Sequence, residues 1–179
     1  MARMKIRRVV TGKTGPGKSI FVHDEAVNPA ALASGYEFHR MWGSDQPPAL
    51  PADGSAPSQP RYFPSTAGYR FGFFTLPPYT ERAPEPPPDP DKVLAELEAK
   101  VPGMAEALEP GGRGMHTTDT VDFDVVISGE VWLELDDGAE VHLKAGDCVV
   151  QNGTRHAWHN RSAQPCVIAV CLLGAKRAR

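Results

Sequence analysis

Cysteine is scarce in this chain. There are three, Cys148, Cys166 and Cys171, an odd count with no C-x-x-C pair, which argues against a disulfide framework and against a zinc ribbon. All three fall in apolar, strand-like stretches, where buried reduced thiols are expected. Long apolar runs are missing too. No stretch suffices to cross a bilayer as a helix, and the opening MARMKIRRVV has no apolar core of the secretory kind, so a cytoplasmic location and no membrane partner are expected. Nor is one sign of charge in excess. With 19 Lys+Arg against 22 Asp+Glu the net charge is −3, which calls for no nucleic-acid partner; the basic clusters RMKIRR and KRAR sit at the termini and read as solvated tails.

Proline and glycine, by contrast, are plentiful, at 18 and 17, and they punctuate the chain into short segments. One such segment, GKTGPGKS at 12–19, fits the phosphate-loop pattern G-x-x-x-x-G-K-[ST]. That pattern binds phosphate only when a helix begins at its Lys-Ser. The continuation SIFVHDEAVNP is β-branched, aromatic and alternating, so a turn between two strands, RRVV and SIFVHDE, is expected instead, with Lys18 in solvent.

Three parts follow from these patterns. Residues 1–80 offer the strands RRVVT, SIFVHDE, YEFHRMW and YRFGFFTL, with a structureless Pro-rich loop SDQPPALPADGSAPSQP. Residues 81–110 hold a second Pro-rich lead-in and then a helix over 91–101, where Asp89-Pro90 supplies a cap and first position and Val93, Leu94, Leu97 and Val101 recur at helical spacing. That helix is expected either to cover a barrel mouth or to pack on an outer sheet face, with MAEAL adding one further turn. Residues 111–174 read as an all-β unit of strands MHTT, DFDVVIS, EVWLELD, EVHLK, DCVVQ, HAWHN and CVIAVCLL, with corners at Asp137-Gly138, Ala145-Gly146-Asp147 and Asn152-Gly153. Residues 175–179 form a basic tail.

Strand parity places His116, Thr118, Thr120, Asp122 and Asp124 on one face, if the strand is unbroken. A buried face of this polarity needs a partner, and a cation is one. Some 40 residues later TRHAWHN sets His156, Trp158 and Asn160 on one face and His159 on the other. His116, Asp122 and His156 thus make a two-His, one-carboxylate set of the kind that holds Fe(II), Zn or Mn with positions left open. Asp124 and Thr118 are candidates for moving a proton or orienting a water. Trp132, Trp158 and Asn160 are candidate pocket residues, with Phe71, Phe73 and Phe74 as further aromatic wall or ordinary core. His23, His39, His142 and His159 are taken as structural, His159 being near enough to support a ligand.

MHTTDTVDFDVVISG followed by GDCVVQNGTRHAWHN resembles the paired motifs of the cupins. In the first motif, G-x5-H-x-H-x3-4-E-x6-G, His116 stands at the first His, Asp122 at the Glu and Gly129 at the last Gly. In the second, G-x5-P-x-G-x2-H-x3-N, Gly146, Gly153, His156 and Asn160 match in spacing. Thr118 replaces the second His, Asp122 is one methylene shorter than Glu, and Asn152 holds the Pro position. The resemblance spans roughly 110–174 and implies a double-stranded β-helix (jelly-roll) barrel, here with extra N-terminal strands and one inserted helix. It further implies a divalent metal on His116, Asp122 and His156, and a homodimer. The expected function is metal-dependent, non-oxidative chemistry (decarboxylase, isomerase or lyase type) on a small apolar or aromatic carbonyl or carboxylic acid compound; an Fe(II)-dependent dioxygenase and a non-catalytic small-molecule binder are the alternatives. No helix-turn-helix pattern precedes residue 110, so a DNA-reading sensor is not expected.

Overall fold

A computed structural model describes residues 5–15, 17–80, 89–111 and 113–178. The Pro-rich lead-in at 81–88 lies outside the described residues, as do residues 1–4, which include Arg3 and Met4 of the first basic cluster, and Arg179 of the second.

Strands β1 (Ile6–Lys13) and β2 (Ser19–Val27) pair antiparallel as a separate hairpin. Its corner is closed by Thr14 N–H to the Lys18 carbonyl at 3.0 Å, with Gly17 at φ +87°. A strand, not a helix, follows Lys18, so the phosphate-loop reading fails on the context it requires. Within the hairpin Arg7 pairs with Asp24 at 2.5 Å, and Arg8 ties it to β4 by donating to the Met41 carbonyl at 2.7 Å.

The remaining strands are β3 (Ala30–Ala31), β4 (Glu37–Ser44), β5 (Tyr69–Leu76), β6 (Thr120–Ser128), β7 (Glu130–Glu134), β8 (Glu140–Lys144), β9 (Cys148–Asn152), β10 (Ala157–His159) and β11 (Cys166–Gly174). They form two sheets, ordered β3-β4-β5-β11-β6-β9 and β10-β7-β8. Side chains such as Leu76, Val131, Leu133, Ile168 and Val170 fill the space between as one core. This is the jelly roll, with one amendment: β4 and β5 do not merely pack on the barrel. β5 pairs along its whole length with β11, so the N-terminal third completes the larger sheet and removes an edge that would otherwise lie open.

Helix α1 (Pro90–Lys100) begins at Asp89, whose carboxylate accepts from Asp91 N–H at 3.1 Å, and Pro90 occupies the first turn as expected. It ends at Val101, and Gly103 at φ +88° turns the chain into the short α2 (Met104–Ala107). Leu97 and Val101 pack on Phe38 of β4. Lys100 reaches the Ala31 carbonyl at 2.7 Å and Glu96 accepts from Ala33 N–H at 3.0 Å, fastening the helix across the strand end. The Asp137-Gly138 corner forms as a tight turn, with both residues at positive φ and Leu135 N–H bonded to Ala139.

Three smaller expectations are corrected. Cys148 is exposed, Cys171 half-buried and only Cys166 buried; all are free thiols. Cys148 shares the solvent face of β9 with Val150, because Val149 is the one that packs inward. MHTT is not a strand but a single bridge at His116, after which the chain crosses to the other sheet before β6 begins. The basic tail is not free either, since Arg177 bonds Asp119 at 2.5 Å and the Thr118 carbonyl at 2.9 Å.

Candidate functional site

His116 and His156 face each other across the bridge. Each donates its backbone N–H to the other's carbonyl, at 2.9 and 3.0 Å, and the ring centroids are 4.2 Å apart. Just before each residue, Arg155 clamps Glu109 with two bonds of 2.7 and 2.8 Å, holding the segment that leads to His116 against the one that carries His156. Both rings are oriented the same way. His116 Nδ1 lies 2.8 Å from the Gly114 carbonyl and His156 Nδ1 2.9 Å from the Thr154 carbonyl. A carbonyl only accepts, so each Nδ1 bears the hydrogen and each Nε2 keeps its lone pair, the tautomer a metal ligand requires. Burial pushes the protonation of both rings down, that of His156 to about 4 with the neighbouring His116 adding to the effect, so both are neutral at pH 7.

On β6 the expected alternation holds: Thr120, Asp122, Asp124 and Val126 are all buried. Asp122 and Asp124 are each 5% exposed, and one oxygen of each has no hydrogen-bond partner. Burial pushes the Asp122 carboxyl up to about 6 against a lowering by Thr120, and burial with repulsion from Asp122 pushes Asp124 up to about 8. Two inward carboxylates without a counter-cation are costly in a folded protein.

These four side chains all line one cavity of about 330 Å³. Its walls are otherwise apolar and aromatic, including Phe38, Tyr62, Phe74 and Trp158, and α1, α2 and the segment after them contribute Val93, Leu97, Met104 and Leu108. The inserted helix therefore lies over the cavity rather than on an outer sheet face. Trp158 points in as parity predicts, edge-on to both Phe74 and His156.

The structure moves three predicted residues away from the cavity. Trp132 is on the outer face of β7, stacked on His142 at 4.1 Å and under the Arg161 guanidinium, because its neighbours Val131 and Leu133 take the inward positions. Asn160 lies past the end of β10 and clamps a loop, donating to the Pro77 and Gln164 carbonyls at 2.9 and 2.7 Å and accepting from Ser162. Thr118 is buried in a 2.8 Å hydroxyl contact with Thr120 and is not part of the cavity wall. Phe71 and Phe73 also point outward, and only Phe74 of the three aromatics reaches the cavity. Reading by motif missed Tyr62 and the walls supplied by α1 and α2. Tyr62 follows a long Pro-rich loop without periodicity, so nothing local aims it inward.

Among the described residues, the group whose ligand atoms all lie within 4.8 Å of one another is Glu134, Glu140 and His159, not His116, Asp122 and His156. That outer group is already compensated: His159 Nε2 donates to Glu134 at 2.6 Å and Arg161 pairs with Glu140. The inner set carries free lone pairs and orphaned carboxylate oxygens, which is the donor chemistry a divalent cation fits.

A jelly roll with paired inward histidines on one bridge and a carboxylate on the facing strand is the architecture of a cupin. Residues 104–172 match the family described as Cupin domain (Cupin_2), and the chain carries a cupin domain of this type. Over 56 residues it is 50% identical to phomopsin biosynthesis cluster protein C' of Diaporthe leptostromiformis, a match spanning 31% of this chain and only 30% of that relative's length. It is 41% identical over 46 residues to the cupin-domain-containing oxidoreductase virC of Hypocrea virens, covering 26% of this chain and 24% of that one. Among solved structures, a cupin 2 conserved barrel domain protein from Salinispora arenicola superposes with a TM-score of 0.41 at 13% identity, over 79% of this chain and 78% of that one.

Proposed function

We propose that the cavity is the active site of a metal-dependent enzyme acting on a small, largely apolar carbonyl compound by non-oxidative proton transfer, in a decarboxylation, isomerisation or elimination. The observation that carries this reading is that two histidines with free Nε2 atoms and two buried, incompletely partnered carboxylates line one largely apolar cavity. His116, His156 and Asp122 would hold the cation, which when bound polarises a carbonyl oxygen and stabilises negative charge developing on it. Asp124 is left over from that set, and burial suits its carboxyl to give up and take back a proton near neutral pH. Tyr62, whose hydroxyl is kept protonated by burial and by both aspartates, serves as a hydrogen-bond donor to the substrate. Trp158 and Phe74 form a flat wall for a ring.

A second reading, Fe(II)-dependent dioxygenation, is favoured by the open two-His, one-carboxylate set and by the oxidoreductase named among the relatives. The experiment has two parts. Divalent metal is measured in purified protein by elemental analysis, with about one ion per chain expected, falling below a tenth in His156→Ala. Turnover is then compared with and without oxygen using Zn or Mn: non-oxidative chemistry persists anaerobically, and loss of turnover without oxygen moves the assignment to the dioxygenase. A chain that takes up no divalent metal under any loading condition refutes both readings and leaves the non-catalytic binder.

A further inference from the structure

We infer that the cavity selects an uncharged, predominantly apolar ligand with an oxygen-bearing end, and discriminates against the same skeleton carried as a free carboxylate or phosphate. The inference deepens the proposed function by rejecting free acids, and it rests on the cavity being the ligand site, not on a metal being bound.

Among the described residues, the cavity wall contains no lysine or arginine. Its ionisable groups are Asp122 and Asp124 of β6, Glu96 of α1, the imidazoles of His116 and His156, and the hydroxyls of Tyr36 and Tyr62. Two nearby guanidiniums are engaged elsewhere, Arg155 with Glu109 and Asp136 and Arg40 with the Gln59 and Arg61 carbonyls, and the Lys100 ammonium is paired with Glu96 itself at 2.7 Å. An anion entering this space would give up its water for walls of Leu, Phe and Trp and meet carboxylates rather than a counter-charge, a loss that burial in low dielectric magnifies.

The apolar end is as specific as the polar one. Leu97, Leu108, Phe74 and Trp158 line a volume near the lower end of ordinary small-molecule sites. Those walls suit one or two fused rings or an equivalent branched chain. With free acids rejected, proton relocation in a neutral ketone or enol, by isomerisation or elimination, is the chemistry that remains.

The test uses the full chain stripped of metal with EDTA and titrated with three probes of one skeleton: 2-acetylnaphthalene, 2-naphthoate and 2-(aminomethyl)naphthalene. Binding is followed by quenching of Trp158 fluorescence, assigned by its disappearance in Trp158→Phe, and confirmed by calorimetry. The neutral ketone is expected to bind at least tenfold more tightly than either ion. In Asp122→Asn, assayed at pH 7 with folding verified by circular dichroism, the preference for the ketone over naphthoate is expected to fall about tenfold. Naphthoate binding as tightly as the ketone, the ammonium probe binding more tightly than the ketone, or no probe binding at all would each overturn the inference. Repeating the titration with Zn separates the two claims, because failure to take up metal leaves the ranking on stripped protein intact.

Discussion

Raising the pH on metal-free protein probes the most unusual feature of the site, a carboxyl that keeps its proton. Asp124 is 5% exposed, and burial together with Asp122 lifts it to about 8 from an ordinary 3.8. In the unfolded chain the same group is ionised above pH 5, so unfolding releases a proton, and the stability present at low pH is lost as pH rises through the folded value. The window from 7 to 8 isolates this group: unfolded histidines, at about 6.5, and the buried His116 and His156, shifted lower still, are mostly neutral there, and Asp122, at about 6, is largely ionised. The limiting slope is about 1.4 kcal/mol per pH unit, and because Asp124 itself titrates at the top of the window the loss across it is about 1 kcal/mol. For a domain of this size that is roughly 2–4 °C in Tm. Differential scanning calorimetry on EDTA-treated protein should show the decline, Asp124→Asn should flatten it, and saturating Zn should flatten it too by neutralising the carboxylates in place of the proton. A flat profile in the stripped wild type would show that Asp124 is hydrated, and the burial argument would fall.

Other consequences are independent of that result. Glu140→Gln, which disturbs the outer Glu134, Glu140 and His159 group, should leave metal content at the wild-type level, whereas Asp122→Asn should cut it at least tenfold; the opposite pattern in elemental analysis would move the metal to the outer face. Leu97→Ala empties the contact between α1 and Phe38 and should cost about 2–5 kcal/mol in urea unfolding, with unchanged stability showing that the helix is not docked. Asn160→Ala should cost about 1–3 kcal/mol through its unpaired loop carbonyls while metal content is retained; loss of metal would return Asn160 to the site. On the outer face of the larger sheet, Val150, Phe123, Cys171 and Phe71 lie in one cross-strand row, and with Leu173 the large side chains expose on the order of 300 Å² of apolar surface. A second copy is expected to cover it, so sedimentation should show a dimer that Phe123→Lys dissociates, and a wild-type monomer would refute this.

What sequence alone determined was whatever depends on short-range geometry. Alternation along β6 put Asp122 and Asp124 inside, and the i, i+2 relation of His156 and Trp158 put both toward the cavity. The cap and first turn of α1 were legible at Asp89-Pro90, and the strand after Lys18 disposed of the phosphate loop. The expectation failed where parity was extended past the end of a strand, at Thr118 and Asn160, because alternation lapses once the ladder stops. It failed at Trp132 because alternation fixes relative sides and leaves open which side is inner; Val131 and Leu133 were the better core residues and took that face. Tertiary structure alone decided that Tyr62, Leu97, Leu108 and Trp158 line one space, that β5 closes the sheet beside β11, and that the cavity wall, among the described residues, has no lysine or arginine. Each of these depends on which distant segments come to lie together, and that is set by the summed burial of the whole core rather than by any local pattern.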